Sequence, residues 1–409
     1  MNLLASSVGR RWLFALLYLS EGAPIGFVWW ALPTLLRNMG VELTAITTLT
    51  SLATLPWVLK FLIAPAIDAG LYRAIPLKRW ILVCQFCMAI SLLPLMLVDW
   101  ITQYPLVMAI IIAHATFAAV QDVGIDTLAI RTVPADELGR VNGWMQAGML
   151  AGRAGVAAGT ALIAGSLGGI PMAVLLLALL ILLPALALLL AAKEPPSRSQ
   201  AVRPGALVRT VVTRVGIAGL LVALLIGAGF EYFGVSAGPR LVDLSYSDGD
   251  LALFYGLLAP AGLALGALAG GTLTDRIGAL GGTAASLFVL TGLLAWIAAQ
   301  DLFPVIFSNH LLWYPLAYAG IGMLTASSYA LFMALSRGAF AATRISLFMA
   351  MTNACEAWAA FAGGRLSVQG YGISLLILTA AACLAILPLL VLWRELGGIS
   401  WRGMAQARR

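Results

Sequence analysis

The chain has 409 residues, of which 62% are hydrophobic and only 10% are charged, and its mean hydropathy is +0.98. This composition excludes an ordinary soluble protein and indicates a polytopic membrane protein. The formal net charge is +7, but the basic residues lie in short turns between apolar segments and not in one patch, so we expect no nucleic-acid partner.

Apolar segments long enough to cross a bilayer recur along the whole chain. They cover about residues 12–36, 44–67, 80–98, 105–130, 141–165, 170–192, 212–238, 251–273, 280–299, 311–336, 345–367 and 371–393. The sequence therefore predicts an all-α membrane protein with twelve transmembrane helices. The four cysteines lie inside these segments and are interpreted as buried thiols, so we expect no metal and no other cofactor.

The longest polar interruption, at residues 193–209, contains three prolines. It predicts an N-terminal six-helix half at 1–192, a cytoplasmic linker at 193–209 and a C-terminal six-helix half at 210–409. If the N-terminus is cytoplasmic, most of the 24 lysines and arginines fall on the cytoplasmic side of the membrane. This positive-inside pattern predicts that both termini are cytoplasmic.

The two halves repeat one turn motif. KFLIAPAID at residues 60–68 ends predicted helix 2, and GTLTDRIG at residues 271–278 ends predicted helix 8. Two parallel six-helix halves with a GxxxDRxG turn resemble the major facilitator superfamily. The aspartate can accept hydrogen bonds from the next helix and latch the helix ends together, although a simple ion pair within the loop is the alternative. The gating residues that we expect are Lys60, Asp68, Asp126, Arg131, Asp275 and Arg276.

Charged residues inside the apolar segments fall on predicted helices 1, 2, 4, 5, 7 and 11. They are Glu21, Lys60, Asp122, Asp126, Arg153, Glu231 and Glu356. A charge in the bilayer is costly unless it is paired or faces a wet cavity, so such residues are functional candidates by default. Predicted helices 3, 6, 9 and 12 carry none, which matches the helices that face lipid in the major facilitator fold.

Arg153 is the expected cation of a substrate site near the bilayer midplane. A guanidinium group stays charged and offers a bidentate fork to a carboxylate. We expect Asp122 or Glu21 to pair with Arg153 when the site is empty, and an anionic substrate group to replace them. The substrate-binding residues that we expect are Arg153, Asp122, Gln121, Glu356, Asn353, Glu231 and Trp30.

Glu21 is the first candidate for proton coupling, and Asp122 is the second. Glu21 begins the EGAPIG segment at residues 21–26, where proline removes a backbone donor and glycine loosens the helix. Broken helices near the midplane often mark transport sites. The alternative for Glu21 is a structural salt bridge to Arg153 or Lys60. Glu231 and Glu356 are each as consistent with a structural role as with a substrate contact.

Several motifs are similar to one branch of the superfamily, the muropeptide permeases and acetyl-CoA transporters. They are KFLIAPAID at 60–68, the Gln121–Asp122 pair with Asp126 four residues after Asp122, the VPADELGR turn at 133–140, and the glycines at both ends of Gly152–Gly155. The resemblance covers roughly residues 20–160. That branch includes importers of muropeptides, acetyl-CoA carriers and bacterial inner-membrane importers of ferric siderophores, and the short twelve-helix form is most similar to the last group. Ala69 departs from the superfamily pattern, which commonly has arginine after the aspartate.

The resemblance implies a secondary active transporter that takes up an amphipathic, anionic organic solute with protons across a bacterial inner membrane. A ferric siderophore is the best specific candidate, and a muropeptide or an acyl-CoA is the alternative. A membrane enzyme or a non-transporting receptor is the alternative of another class, but no catalytic constellation supports it. The expected partners are a small-molecule substrate, protons and the lipid bilayer, and we expect a monomer.

Overall fold

The computed structural model describes residues 3–66, 76–134, 137–166, 169–190, 212–303, 309–336 and 341–396. All regular structure in these ranges is helical, and they contain no strand, so the predicted all-α class is confirmed. A helix suits an apolar chain of this kind because it satisfies its backbone hydrogen bonds internally, where lipid offers no partners.

The described ranges contain eleven main helices. In chain order they are α1 Ser7–Asn38, α2 Leu43–Ala66, α3 Leu77–Leu92, α4 Tyr104–Thr132, α5 Leu138–Ser166, α6 Gly169–Leu190, α7 Arg214–Asp243, α8 Asp248–Leu302, α9 His310–Leu335, α10 Ala341–Leu366 and α11 Tyr371–Glu395. Two of them contain a π-helical stretch, at Gly26–Ala31 in α1 and at Phe254–Leu258 in α8.

Within the described ranges, nine helices are long and apolar enough to cross a membrane. One of these, α8, runs for 55 residues and covers the predicted segments 251–273 and 280–299. It bends at Gly278, whose φ of 82° lies in the left-handed region that favours glycine. The number of twelve spans and the cytoplasmic position of both termini stay predictions.

The chain divides into two compact units. Unit 1 comprises Met1–Ala201 and Gly238–Leu257, and unit 2 comprises Val202–Ala237 and Leu258–Arg409. The predicted division at 1–192, 193–209 and 210–409 stays a prediction, and the linker at 193–209 lies outside the described residues.

Unit 1 has an apolar core that brings α1, α3, α4 and α5 together. Its fully buried members include Leu13, Phe14, Leu17, Ile81 and Ile125. At one end of this core, Arg10 of α1 forms a bidentate ion pair with Glu137, which precedes α5, with Nε–Oε2 at 3.0 Å and Nη2–Oε1 at 2.7 Å. Hydrogen bonds from Arg10 lower the pKa of Glu137 below its usual value. The ion pair therefore fixes the turn before α5 to the first turn of α1.

Glycines allow the backbones of α1 and α5 to touch. The four glycines at this contact are Gly22 and Gly26 on α1 and Gly148 and Gly152 on α5. A Cβ atom on Gly148 would overlap the backbone of Ala15, and one on Gly22 would overlap the backbone of Met149. Small residues permit this close approach in membranes, where packing rather than hydrophobicity drives helix association. The two helices therefore have a fixed register.

Replacing Gly148 with valine should destabilise the protein, because the new side chain meets the backbone of Ala15 and α1 and α5 must separate. Overpacking of this kind costs about 1–3 kcal/mol. We expect Gly148→Val to lower the thermal midpoint of the detergent-solubilised protein, measured by the loss of the monodisperse gel-filtration peak on heating. Gly143→Val on the same helix makes the same change in helix propensity where no atom lies within 4 Å, so it should be tolerated. Equal midpoints for the two variants would contradict the packing role of Gly148.

Candidate functional site

A group of buried ionisable side chains lies in unit 1, and we call it the acidic cluster. Tyr18 and Glu21 come from α1, Lys60 from α2, and Asp122 and Asp126 from α4. The Lys60 Nζ atom lies 2.7 Å from Asp122 Oδ2. Glu21 interacts electrostatically with Asp122, Asp126 and Lys60, and the Tyr18 hydroxyl donates a hydrogen bond to Asp126. The cluster thus joins three helices through charged contacts.

The charges of the acidic cluster do not balance. It holds three carboxyl groups and one ammonium group, and Glu21 and Asp122 are each only 4% exposed. Among the described residues, Glu21 Oε2 is buried without a hydrogen-bond partner. Two ionised carboxylates in contact repel each other, whereas a pair that shares one proton can form a hydrogen bond. The buried carboxyl group of Glu21 is therefore suited to hold a proton.

Buried amide groups continue the polar cluster towards α3. The Ser20 hydroxyl accepts hydrogen bonds from Gln85 Nε2 at 3.2 Å and from Gln121 Nε2 at 3.3 Å, and it donates to the Leu17 carbonyl. Gln85 and Gln121 are fully buried, and within the described part of the chain their amide oxygens have no hydrogen-bond partner. Gln121, the sequence neighbour of Asp122, is thus hydrogen-bonded to Ser20, the sequence neighbour of Glu21.

Sequence reasoning missed three of these residues. Gln85 and Ser20 are uncharged, and helices were assigned to lipid or to the cavity from their charged residues alone, so α3 was expected to face lipid. A count of all strongly polar side chains in the apolar segments would have found Gln85. Tyr18 lies three residues before Glu21 and hence on the same helix face, which is a second signal that was available.

Arg153 lies on α5 above the indole ring of Trp30, with its guanidinium carbon 4.1 Å from the ring centroid. Trp30 belongs to the π-helical stretch Gly26–Ala31. The helix runs on through Pro24, so the break expected at residues 21–26 is instead a widened turn that follows it. Such π-helical turns occur frequently at functional sites. The arrangement places a cation on an aromatic face, which is itself a favourable contact.

Lys60, and not Arg153, is the recorded salt-bridge partner of Asp122. The sequence reasoning assigned Lys60 to gating and expected Asp122 or Glu21 to pair with Arg153. Lys60 lies on α2 and reaches α4, a contact between helices that are distant in sequence, so spacing alone could not reveal it. The side chain of Lys60 retains 20% exposure and that of Asp122 only 6%.

Tyr255 completes the aromatic group around Trp30, and sequence reasoning did not single it out. Its ring stacks on Trp30 with centroids 5.3 Å apart and an interplanar angle of 23°. Its hydroxyl lies 3.4 Å from Thr34 Oγ1 and against Gly238, where a Cβ atom would have no room. Tyr255 lies in the second π-helical stretch, Phe254–Leu258. No local pattern marks it, because its partner Trp30 is more than 200 residues away in the chain.

The other substrate residues expected from the sequence lie in unit 2. Glu231 is half-buried on α7, and Asn353 and Glu356 are half-buried on α10. A Cβ atom placed on Gly227 of α7 would lie 3.2 Å from Cys355 Sγ of α10 and 3.2 Å from Glu231 Cγ. These parts of α7 and α10 are therefore in contact. The role of Glu231, Asn353 and Glu356 stays a prediction.

The expected gating residues are distributed over several positions. Asp68 lies outside the described residues. Arg131 is half-buried at the end of α4, and Asp275 and Arg276 are exposed just before the bend at Gly278. Asp126 belongs to the acidic cluster. Their gating role stays a prediction.

Comparison with known proteins gives a family and a fold. A family model described as the Major Facilitator Superfamily matches residues 14–364. An uncharacterized protein of Haemophilus influenzae is 26% identical over 357 residues, which are 81% of this chain and 82% of that protein.

Solved structures resemble the chain over most of its length. The nucleoside transporter NupG has a TM-score of 0.68 at 13% identity, covering 96% of this chain and 99% of its own. A bacterial homolog of the human lysosomal transporter Spinster has a TM-score of 0.72 at 14% identity, covering 94% and 95%. A D-xylose-proton symporter has a TM-score of 0.69 at 13% identity, covering 95% and 98%. At these identities the likeness shows the fold alone.

Removing the ammonium group of Lys60 should destabilise the protein, because Asp122 would remain buried without its counter-ion. Breaking a buried ion pair costs about 3–5 kcal/mol, and the partial exposure of Lys60 favours the lower end. We expect Lys60→Met to lower the thermal midpoint clearly and Lys60→Met/Asp122→Asn to recover much of the loss.

The exposed ion pair of Arg214 with Glu395 offers a matched control, since the Arg214 side chain is 86% exposed. Exposed pairs contribute little to stability, so Arg214→Met should leave the midpoint nearly unchanged. A Lys60→Met variant as stable as Arg214→Met would show that Lys60 does not neutralise a buried charge.

Proposed function

The chain is a multi-pass membrane transporter that belongs to the Major Facilitator Superfamily, and on this premise we propose that it imports an anionic organic solute together with protons. We further propose that it acts in a bacterial inner membrane. The observations that carry the coupling proposal are the burial of Glu21, whose Oε2 atom has no hydrogen-bond partner among the described residues, and the single ion pair of Lys60 with Asp122, which leaves Glu21 without a counter-ion in the acidic cluster.

In the proposed mechanism, one proton is held between Glu21 and Asp122. With Glu21 protonated, its hydroxyl can donate to Asp122, and Lys60 neutralises the remaining charge of Asp122. When the proton leaves, Glu21 becomes a second buried anion for which Lys60 cannot compensate. An uncompensated buried charge costs several kcal/mol, so proton release favours a conformation that admits water or a cation to Glu21. A ligand that binds two conformations with different affinity shifts the balance between them, and here the proton is that ligand.

Arg153 is the proposed site for the anionic group of the solute. A guanidinium group can form two parallel hydrogen bonds with a carboxylate, and the rings of Trp30 and Tyr255 offer a flat apolar surface beside it. We also retain Gln121, Asp122, Glu231, Asn353 and Glu356 as proposed substrate contacts. Asp68, Asp126, Arg131, Asp275 and Arg276 remain proposed gating residues.

The proposed substrate is a ferric siderophore. This choice rests on the short twelve-helix form, which is similar to the siderophore importers of the branch that residues 60–68 and 121–126 resemble. A muropeptide or an acyl-CoA is the second candidate within the same branch. An acyl-CoA carries several phosphate charges, so it would require more cations around the site than Arg153 and Lys60 supply.

Uptake of labelled ferric siderophores by cells that express the protein tests this proposal. We expect saturable uptake that a protonophore abolishes. If no siderophore is taken up but a labelled muropeptide is, the transporter assignment stands and the muropeptide becomes the proposed substrate. Uptake that continues unchanged with the protonophore would refute proton coupling.

Replacing Glu21 with glutamine should uncouple transport from the proton gradient. Glutamine keeps the size and the hydrogen-bonding capacity of the protonated side chain but cannot release a proton. We expect Glu21→Gln to bind solute with unchanged affinity and to exchange it across the membrane, while accumulation driven by an imposed pH gradient is lost. Asp99→Asn is the matched control, since Asp99 is an exposed carboxylate in the loop after α3. Accumulation by Glu21→Gln equal to that of Asp99→Asn would exclude Glu21 as the coupling residue.

Replacing Arg153 with lysine should weaken solute binding, because an ammonium group keeps the charge but cannot form the bidentate contact. The loss of one charge-assisted hydrogen bond corresponds to about 10- to 100-fold in affinity. We expect this rise in KM for uptake. Arg140→Lys, at an exposed position of the same helix, should leave KM unchanged. An unaltered KM in Arg153→Lys would exclude the bidentate role of Arg153.

A further inference from the structure

Unit 1 contains a cavity that no charged residue of the proposed proton and anion sites lines. Its volume is about 220 Å³. It lies between the last turns of α1, the C-terminal third of α5, the start of α6 and the first turns of α8, and we call it the Thr160 cavity. Asn38 and Asp248 line it and are exposed, so the cavity opens to solvent at that end. With the N-terminus in the cytoplasm, as predicted, this end faces the outside.

The size of the Thr160 cavity limits what it can hold. Pockets that enclose drug-sized ligands measure about 300–1,000 Å³. A cavity of about 220 Å³ therefore suits one ring with its substituents and not a whole amphipathic solute. The occupant is a small molecule or one part of a larger one.

The polar groups of the Thr160 cavity are mainly uncharged. Thr34, Thr160 and Tyr255 contribute hydroxyl groups and Asn38 an amide, while Asp248 provides a carboxylate at the mouth. Alanine, leucine, isoleucine and methionine side chains form the remaining wall. Hydroxyl and amide groups on an otherwise apolar wall can exchange hydrogen bonds with neutral hydroxyl groups of a ligand.

Thr160 gives the strongest indication of a ligand. The residue is only 3% exposed and lines the cavity. In the described ranges, no hydrogen bond is recorded for its hydroxyl, whereas the neighbouring Thr34 hydroxyl donates to the Trp30 carbonyl at 2.8 Å. Because Thr160 lines the cavity, a ligand hydroxyl there could supply the hydrogen-bond partner that the Thr160 hydroxyl lacks among the described residues.

Tyr255 links the Thr160 cavity to the proposed anion site. The ring lines the cavity and also stacks on Trp30, over which Arg153 lies. Thr160 is seven residues after Arg153 on α5, which is two helical turns along the same face. A solute that enters at Asn38 and Asp248 therefore reaches Tyr255 before it reaches Arg153.

We propose that the Thr160 cavity binds a hydroxyl-bearing ring of the transported solute, and that the Tyr255 ring separates this site from Arg153. The solute is then an organic anion with a hydroxylated portion, which Thr34, Asn38 and Thr160 recognise. This inference rests on the proposed transport function for the passage to Arg153, but the binding itself requires no transport.

Protection of a cysteine from alkylation tests the binding. Ala161→Cys sets a thiol in the wall of the cavity without removing a polar group, in a background where Cys84, Cys87, Cys355 and Cys383 are serine. A membrane-impermeant maleimide applied to intact cells should label it. D-glucose and D-glucuronate carry ring hydroxyls, so we expect both to slow the labelling in a saturable way, whereas cyclohexanecarboxylate, which has the charge but no ring hydroxyls, should not. Met39→Cys at the mouth is a second reporter if Ala161→Cys does not reach the membrane.

Thr160→Val in the reporter background isolates the hydroxyl group, because valine keeps its shape. We expect protection by D-glucuronate to weaken roughly three- to tenfold, the loss of one neutral hydrogen bond. Thr116→Val is the control, since the Thr116 hydroxyl is exposed and donates to the Ile112 carbonyl. We expect Thr116→Val to leave the protection by D-glucuronate unchanged.

Three outcomes would overturn the proposal: no labelling from outside, no protection by either hydroxylated ring, or equal protection by cyclohexanecarboxylate. The labelling is carried out with a protonophore present, so a failure of proton coupling would leave protection intact. Conversely, proton-driven uptake without protection would exclude the cavity as a binding site and support the proposed transport function.

Discussion

The arrangement of unit 1 depends on the cost of keeping charge away from water. Three carboxyl groups and one ammonium group lie together in the acidic cluster, and Glu21 and Asp122 are almost fully buried. One lysine can compensate for one carboxylate, so the others require hydrogen bonds or protons. Tyr18 supplies a hydrogen bond to Asp126, which leaves Glu21 and Asp122 as the pair with the greatest need of a proton. The helices α1, α2 and α4, which carry these groups, must therefore pack together at the acidic cluster.

The close contact of α1 with α5 meets this requirement. Because Gly22 and Gly148 leave no space for a Cβ atom, the two helices cannot slide past each other without separating. Glu21 lies beside Gly22 and is thereby fixed towards α4. Arg153 follows Gly152 and is held against Trp30 in the same way. The glycine contacts thus set the register of α1 on α5, and this register places the buried charged groups beside their partners.

Composition and buried charge were sufficient to predict the all-α class and to single out most charged residues of the candidate site, whereas the superfamily was predicted from the resemblance of the two repeated halves and their GxxxDRxG turn. An acid or an arginine in an apolar segment stands out whatever its partner is, so Glu21, Asp122 and Arg153 were identified individually. Their pairing was not predictable, because Lys60 reaches Asp122 from another helix and no spacing rule relates them. Tyr255 and Thr160 were missed for a different reason. Aromatic and hydroxyl residues are common in membrane helices, and only a stacked partner or an empty cavity distinguishes them.

The helix α1 carries both proposed sites, and this suggests how they communicate. Glu21 lies in the acidic cluster, and Trp30 lies beside Arg153 about 13 Å further along the helix, at 1.5 Å per residue. The π-helical stretch Gly26–Ala31 begins between them and includes Trp30. Since Gly22 and Gly26 hold this part of α1 on α5, a change at Glu21 cannot be absorbed by a local shift of the glycine contact. It reaches Trp30 either as a rigid movement of α1 with α5 or as a change in the π-helical turn. The second route requires a smaller movement, because a π-helical turn can return to α-helical geometry when the position of one residue changes. That change would rotate Trp30 relative to Arg153 and Tyr255.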